Sequence, residues 1–143
     1  TGGTITGLGK YFEKKSPTTE MILADPKGSI VKDTVEKNKV NAADYSWLVE
    51  GIGEDFIPDT LDINYIKKAY EVSNKEAFDT IRQLALNEGI LAGSSSGTLI
   101  SAALKYCKEQ EKAKNVVTFV CDNGEKYLNT AYNKLWLKEK NLI

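Results

Sequence analysis

The chain has 143 residues, 41% of them hydrophobic and 27% charged, which suits one soluble globular domain with a sizeable core. Nineteen basic residues against twenty acidic ones leave a net charge of −1, and Arg82 is the sole arginine, so no basic face exists to neutralise a run of nucleic-acid phosphates. Histidine is absent, which removes Ser-His-Asp and Cys-His catalysis and His-based metal sites, and no apolar run is long enough to span a bilayer.

The first segment, Thr1-Gly2-Gly3-Thr4-Ile5-Thr6-Gly7, reads as a glycine-rich loop entering a helix expected from about Ile5 to Lys15. Gly2 and Gly3 lack a Cβ, so their backbone N–H groups can approach an anion closely. Thr1, Thr4 and Thr6 add hydroxyls, and a helix start adds its positive dipole end. Such a cradle suits a small phosphate monoester, although a plain turn uses the same residues. Because the chain opens on Thr inside this loop, it reads as a piece of a longer polypeptide, or as one processed or incomplete at its front. Met21-Ile22-Leu23-Ala24 is a short strand ended by Asp25-Pro26. Lys32 to Asp44 is charged and reads as a surface excursion. Trp47-Leu48-Val49 leads into Glu50-Gly51-Ile52-Gly53, either a strip of bare backbone or a mere turn. Phe56-Ile57-Pro58 opens an irregular connection.

Ser73-Asn74-Lys75-Glu76 is a capping box for the next helix. Ala77, Ile81, Leu84 and Glu88 recur there at helical spacing, Phe78 and Ala85 widen the apolar face, and Gly89 supplies the stop. Ile90-Leu91-Ala92 reads as a short strand. Gly93-Ser94-Ser95-Ser96-Gly97 opens another helix, with Leu99, Ala103, Leu104 and Cys107 expected inside; serine is also simply favoured at helix starts. Val116 to Cys121 reads as a fully apolar strand inside a parallel sheet, followed by Asp122 as cap and Glu125 at the third helical position. Cys107 and Cys121 form no C-x-x-C pair and read as packed free thiols, which points to the cytoplasm. Strands alternating with helices predict an α/β fold with a mostly parallel sheet and flanking helices.

Five ordered blocks then matter together: Thr1 to Gly7, Asp25-Pro26-Lys27-Gly28-Ser29, Val49 to Gly53, Glu88 to Gly97, and Asp122 to Leu128. In this order they resemble the fold-type II enzymes of pyridoxal phosphate, and within them the cystathionine β-synthase and cysteine synthase family. The resemblance spans nearly the whole chain and implies a tryptophan-synthase-β-like large-domain portion. It implies pyridoxal 5'-phosphate as cofactor, with Thr1, Gly2, Gly3 and Thr4 holding its phosphate and Ser95 meeting its pyridine nitrogen. Gly51 and its neighbours match the backbone strip beside the bound amino acid. A serine hydroxyl hardly ionises near neutral pH and so supports a neutral ring nitrogen, which favours loss of a β-leaving group over transamination.

The same resemblance implies β-replacement on serine with homocysteine as the thiol, or, as the rival inside the family, O-acetylserine with sulfide. The family's Schiff-base lysine and substrate loop belong upstream, so no catalytic residue is assigned within residues 1–143, no metal site is assigned, and Lys10, Lys27 and Lys126 read as solvated. This portion by itself is expected to be inactive. Homodimers are common in the family, and the missing N-terminal part is the expected packing partner. Glu54 departs from the aromatic residue found there in some relatives; it is an exposed loop carboxylate or a group near the thiol substrate. Outside the family, two readings use the same residues: a noncatalytic phosphate- or nucleotide-binding module, and a packing fragment.

Overall fold

The computed structural model describes residues 1–37, 43 and 46–143. Its frame is two parallel strands, β1 (Met21–Pro26) and β2 (Ile66–Val72), with helices α1 (Gly3–Lys15), α2 (Val31–Lys37), α3 (Asn74–Glu88), α4 (Ser94–Lys108) and α5 (Lys134–Glu139) around them. This is the expected α/β class with a parallel sheet and flanking helices. The strands pair from Met21 with Ile66 to Pro26 with Val72, with one irregularity after Met21. Helices α2 and α4 pack on both strands, α3 packs on α4, and α1 lies against β1 and the 3-10 turn at Ile63–Tyr65.

Strand β2 has no counterpart in the sequence reading, because Lys67, Lys68 and Glu71 interrupt its apolar pattern. Its buried residues are Ala69, Tyr70 and Val72, while those charged side chains are exposed. The excursion expected from Lys32 to Asp44 is partly helical. Val31 and Thr34 of α2 are buried, and Thr34 donates its hydroxyl to the Ile30 carbonyl at 3.0 Å. Residues 38–42 and 44 of that stretch lie outside the described ones.

The capping box of α3 is present in both directions: Ser73 Oγ accepts from Glu76 N, and Glu76 Oε2 accepts from Ser73 N at 2.8 Å. Ala77, Phe78 and Ile81 are buried, and Gly89 closes the helix in the left-handed region. The core continues through Ala24, Val72, Ala92, Ala102, Ala131 and Leu137, with Trp136 edge-on to Phe78 at 5.6 Å. Full burial of a side chain such as Ile81 or Leu137 contributes about 1.5–3 kcal/mol.

Helix α4 turns a different face inward from the one its leucines suggest. Ser94 to Thr98, Ser101 and Ala102 are buried, whereas Leu104 is 52% exposed and Cys107 is exposed. Close approach is the cause. A Cβ on Gly97 would overlap the Ala77 carbonyl oxygen, and Ser101 Oγ lies 2.7 Å from Thr80 Oγ1. Small residues let the two helices touch, which rotates the larger side chains outward.

Two expected strands are not formed. Val116 to Cys121 has no ladder partner among the described residues, and Val117 is 85% exposed. An apolar strand is buried only where neighbouring strands pair with it and layers cover it, and neither does so here. Cys121 is accordingly exposed, correcting the packed reading of both thiols. Ile90-Leu91-Ala92 makes only an isolated antiparallel bridge between Ala92 and Asn123.

Candidate functional site

The opening loop is built as a bare helix start. Gly2 is the N-cap of α1, in the left-handed region at φ 72°, and no side chain caps the helix. A Cβ at Gly2 would also lie 2.6 Å from Leu61, so only glycine fits this turn. The N–H groups of Gly3, Thr4 and Ile5 have no acceptor among the described residues. Thr1 and Thr4 are exposed and their hydroxyls make no described hydrogen bond. Thr6 behaves otherwise: it is buried, and its Oγ1 accepts from Asp62 N at 2.9 Å, so it anchors α1 rather than joining the cradle.

The strip from Val49 to Glu54 runs from the start of α4 to the Ser29 turn. Val49 is buried at one end. Next to it, Glu50 N donates to Ser94 Oγ at 3.2 Å. At the other end the strip is held through the Glu54 backbone, and beside it Thr60 Oγ1 donates to the Thr1 carbonyl. Ser29 brackets the Glu54 backbone, donating to its carbonyl and accepting from its N–H at 3.0 Å, while Ile30 N adds a second bond to that carbonyl. Gly51 lies between, exposed, at φ 75°. Four residues of chain span at most about 14 Å, which bounds the separation of the two anchored ends of the strip.

Three serines begin α4, and their hydroxyls are not equivalent. Ser94 Oγ is taken by Glu50 N, and Ser96 Oγ accepts from Cys121 N at 3.0 Å. Ser95, between them, is 8% exposed, and its hydroxyl has no hydrogen-bond partner among the described residues. The helix carries no side-chain cap, since its N-cap is Gly93. Asp122, expected to cap the following turn, does something else. Asn123 caps the 3-10 turn Gly124–Tyr127 by accepting from Glu125 N, and Asp122 Oδ2 accepts the Tyr127 hydroxyl proton.

Thus the 50–54 strip is held by Ser94, the neighbour of Ser95, at one end and by Ser29 at the other, with Gly51 between them. The glutamate at 54 is half-buried. Ser94, Ser96, Ser29 and Thr60 supply the anchoring bonds; the hydroxyl run at 94–96 was the only one of these signals that spacing alone exposed. Lys10, Lys27 and Lys126 are exposed. A groove of about 650 Å³ runs along α1 between Gly3, Gly7 and Lys10 and the 59–64 segment, but it includes neither Gly51 nor Ser95. No helix among the described residues is long and apolar enough to cross a membrane.

Asp25, at the end of β1, is the one carboxyl near the strip whose ionisation is strongly displaced. Burial pushes it up to about 6, against the hydrogen bonds from Lys32 N at 2.8 Å and from Ser29. Its strand neighbour Glu71 raises it further.

Residues 1–122 match the family model described as pyridoxal-phosphate dependent enzyme. Cystathionine beta-synthase of Saccharomyces cerevisiae is 39% identical over 145 residues, covering 99% of this chain and 28% of that protein. Cysteine synthase of Staphylococcus aureus is 39% identical over 130 residues, covering 91% of this chain and 40% of that protein. The crystal structure of an O-ureido-L-serine synthase superposes with a TM-score of 0.76 at 26% identity, over 89% of this chain and 38% of that one. The chain therefore spans between about a quarter and two fifths of the length of the relatives it matches.

Proposed function

Because the chain belongs to the family of pyridoxal-phosphate dependent enzymes, we propose that it forms the C-terminal portion of a catalytic core that condenses serine with homocysteine to cystathionine. The upstream portion then carries the lysine that binds the cofactor, and residues 1–143 supply the phosphate cradle, the ring-nitrogen contact and one wall of the amino-acid site. The reading includes a cytoplasmic homodimer, with the upstream portion of the same protein packed on the apolar residues exposed at Val116–Val120.

The donor set suits this cofactor. The N–H groups at the start of α1 and the hydroxyls of Thr1 and Thr4, without partners among the described residues, are the groups a phosphate dianion needs. The single observation that carries the reading is the Ser95 hydroxyl: buried, without a partner among the described residues, and flanked by two serines whose hydroxyls are already used. When bound, pyridoxal phosphate supplies the electron sink that weakens the bonds at the amino acid's Cα and Cβ. Ser95 Oγ keeps its own proton near neutral pH and donates it as a hydrogen bond, so it leaves the ring nitrogen unprotonated. Gly51 presents backbone without a side chain to the amino acid, and the bonds at Glu50 and Glu54 hold that backbone still.

A second reading, cysteine synthesis from O-acetylserine and sulfide, is favoured by the Staphylococcus aureus relative, as similar as the yeast one. The intact protein loaded with pyridoxal phosphate separates the two. Cystathionine from serine and homocysteine, formed faster than cysteine from O-acetylserine and sulfide, supports the first reading; the reverse ranking replaces it. A protein that takes up no pyridoxal phosphate, and gains no visible absorbance, overturns both.

A further inference from the structure

Behind the α4 start lies a pair, buried Tyr127 and half-buried Asp122, that the cofactor reading does not use. Tyr127, 7% exposed, donates its hydroxyl proton to Asp122 Oδ2 at 2.9 Å. Burial first, and the bond to Asp122 second, push the Tyr127 hydroxyl above its ordinary range, so the proton stays on the tyrosine and the bond keeps its direction. The other carboxylate oxygen, Asp122 Oδ1, is buried with no hydrogen-bond partner among the described residues. Such an oxygen is costly to keep, on the order of 1–3 kcal/mol.

Its position explains what it holds. A Cβ on Gly93 would overlap Asp122 Oδ1 and would come within 2.8 Å of the Tyr127 ring. Gly93 N also donates to the Asp122 carbonyl at 3.0 Å. Asp122 therefore holds the N-cap of α4 by one backbone bond and packs its side chain against the bare Gly93 backbone, and Tyr127 fixes that side chain. The next residue, Ser94, is 1% exposed and holds Glu50 N; the one after is Ser95. Contacts thus run without a gap from Tyr127 through Asp122 and Gly93 to Ser94, and from there to the Glu50-Gly51 backbone.

We infer that Tyr127 and Asp122 are positioning residues: together they set the first turn of α4, and through it both the Ser95 hydroxyl and the Gly51 strip. The inference rests on the reading of Ser95 and Gly51 as cofactor and amino-acid contacts. It assigns the pair no contact with cofactor or substrate.

The test uses the intact protein loaded with pyridoxal phosphate. Tyr127→Phe removes the proton that fixes Asp122 and leaves both carboxylate oxygens unpaired. It raises KM for serine about tenfold while kcat stays within about threefold, and it moves the absorbance maximum of the bound cofactor. Amide hydrogen exchange without serine quickens by about tenfold at residues 50–51 and 94–96, although none of these is substituted. Asp122→Ala behaves in the same way. Asp122→Asn keeps an oxygen for the Tyr127 proton and stays within about threefold of wild type in every readout. A Tyr127→Phe protein with a lower Tm but unchanged KM, spectrum and exchange overturns the inference while leaving the cofactor reading intact. If neither Tyr127→Phe nor Asp122→Ala folds, the pair serves folding alone and the inference is again overturned. Failure of the wild type to bind pyridoxal phosphate removes the cofactor reading and the inference together.

Discussion

Helices α3 and α4 are each fifteen residues long, pack against one another, and begin on serine-bearing segments, yet their starts are finished in opposite ways. At α3, Ser73 and Glu76 satisfy each other's backbone donors, and the Ser73 hydroxyl itself is committed to Glu76. At α4, the N-cap is a glycine, no side chain folds back, and the serines point their hydroxyls away from their own helix, to Glu50 and Cys121 or, at Ser95, to no described partner. A sealed start lowers the free energy of the helix that owns it. An open start leaves donors in place and takes its stability from neighbours instead. The same residue type therefore serves stability at position 73 and ligand recognition at position 95.

The largest way to break this contrast is to remove what holds α4 in place of a cap. Gly97→Val puts side-chain atoms where the Ala77 carbonyl sits and against Ile81. Over-packing at a backbone contact separates α3 from α4 and costs roughly 4 kcal/mol or prevents folding. Chemical denaturation of the intact protein measures it. A loss below about 1 kcal/mol means that α4 is held by something other than its close approach to α3.

Much of the fold was legible in the sequence where one short-range rule decides the outcome. The α3 start follows from Ser73 and Glu76 alone, its end from Gly89, and the helix between them from its apolar spacing. The rest depended on partners far along the chain. Strand β2 is apolar only at Ala69, Tyr70 and Val72, and pairing with β1 overrides the lysines between. On α4, leucine spacing suggests a buried stripe, while Gly97 and Ser101 win by permitting closer contact. Val116–Cys121 has a strand's composition but no strand beside it among the described residues. The site was legible in part: Thr1 to Thr4, Gly51 and Ser95 all stood out, but the bonds from Ser29, Thr60 and Ser94 that join their loops cross more than twenty residues of chain and leave no local pattern. Thr6, which looked like a member of the cradle, is a packing residue.

Helix α2 offers a third kind of start, one whose cap can change its charge. Asp25 Oδ2 accepts from Lys32 N, and burial raises the Asp25 carboxyl from 3.8 to about 6. A carboxyl held above its unfolded value favours the protonated native state. Its contribution to stability is complete below pH 3.8 and is lost as pH rises through about 6. The asparagine variant cannot ionise but keeps an oxygen for Lys32 N. Asp25→Asn is therefore expected to be more stable than wild type above pH 6, by on the order of 2 kcal/mol, and to match it near pH 4. Urea unfolding of both proteins across pH 4–7 gives the difference directly. A difference that does not change with pH shows that Asp25 ionises freely and caps α2 as an ordinary carboxylate.

The smallest effect is also the sharpest comparison, because it exchanges one alanine between two helix starts. Ser73→Ala removes half of the capping box and costs about 1 kcal/mol in unfolding free energy. Cofactor uptake and the cofactor spectrum stay as in wild type, since the sealed start faces no ligand. Ser95→Ala removes a hydroxyl that bonds to no described residue, so the stability of the cofactor-free protein stays within about 0.5 kcal/mol. With pyridoxal phosphate bound, the same substitution shifts the absorbance maximum and slows turnover at least tenfold, the loss expected for one buried hydrogen bond to a reacting group. Two measurements on each variant, unfolding without cofactor and absorbance with it, fill a square in which the effects lie on one diagonal. Should Ser95→Ala lower stability as much as Ser73→Ala and leave the spectrum alone, then the α4 serine is a helix-start residue like its counterpart, and the open start has no ligand to wait for.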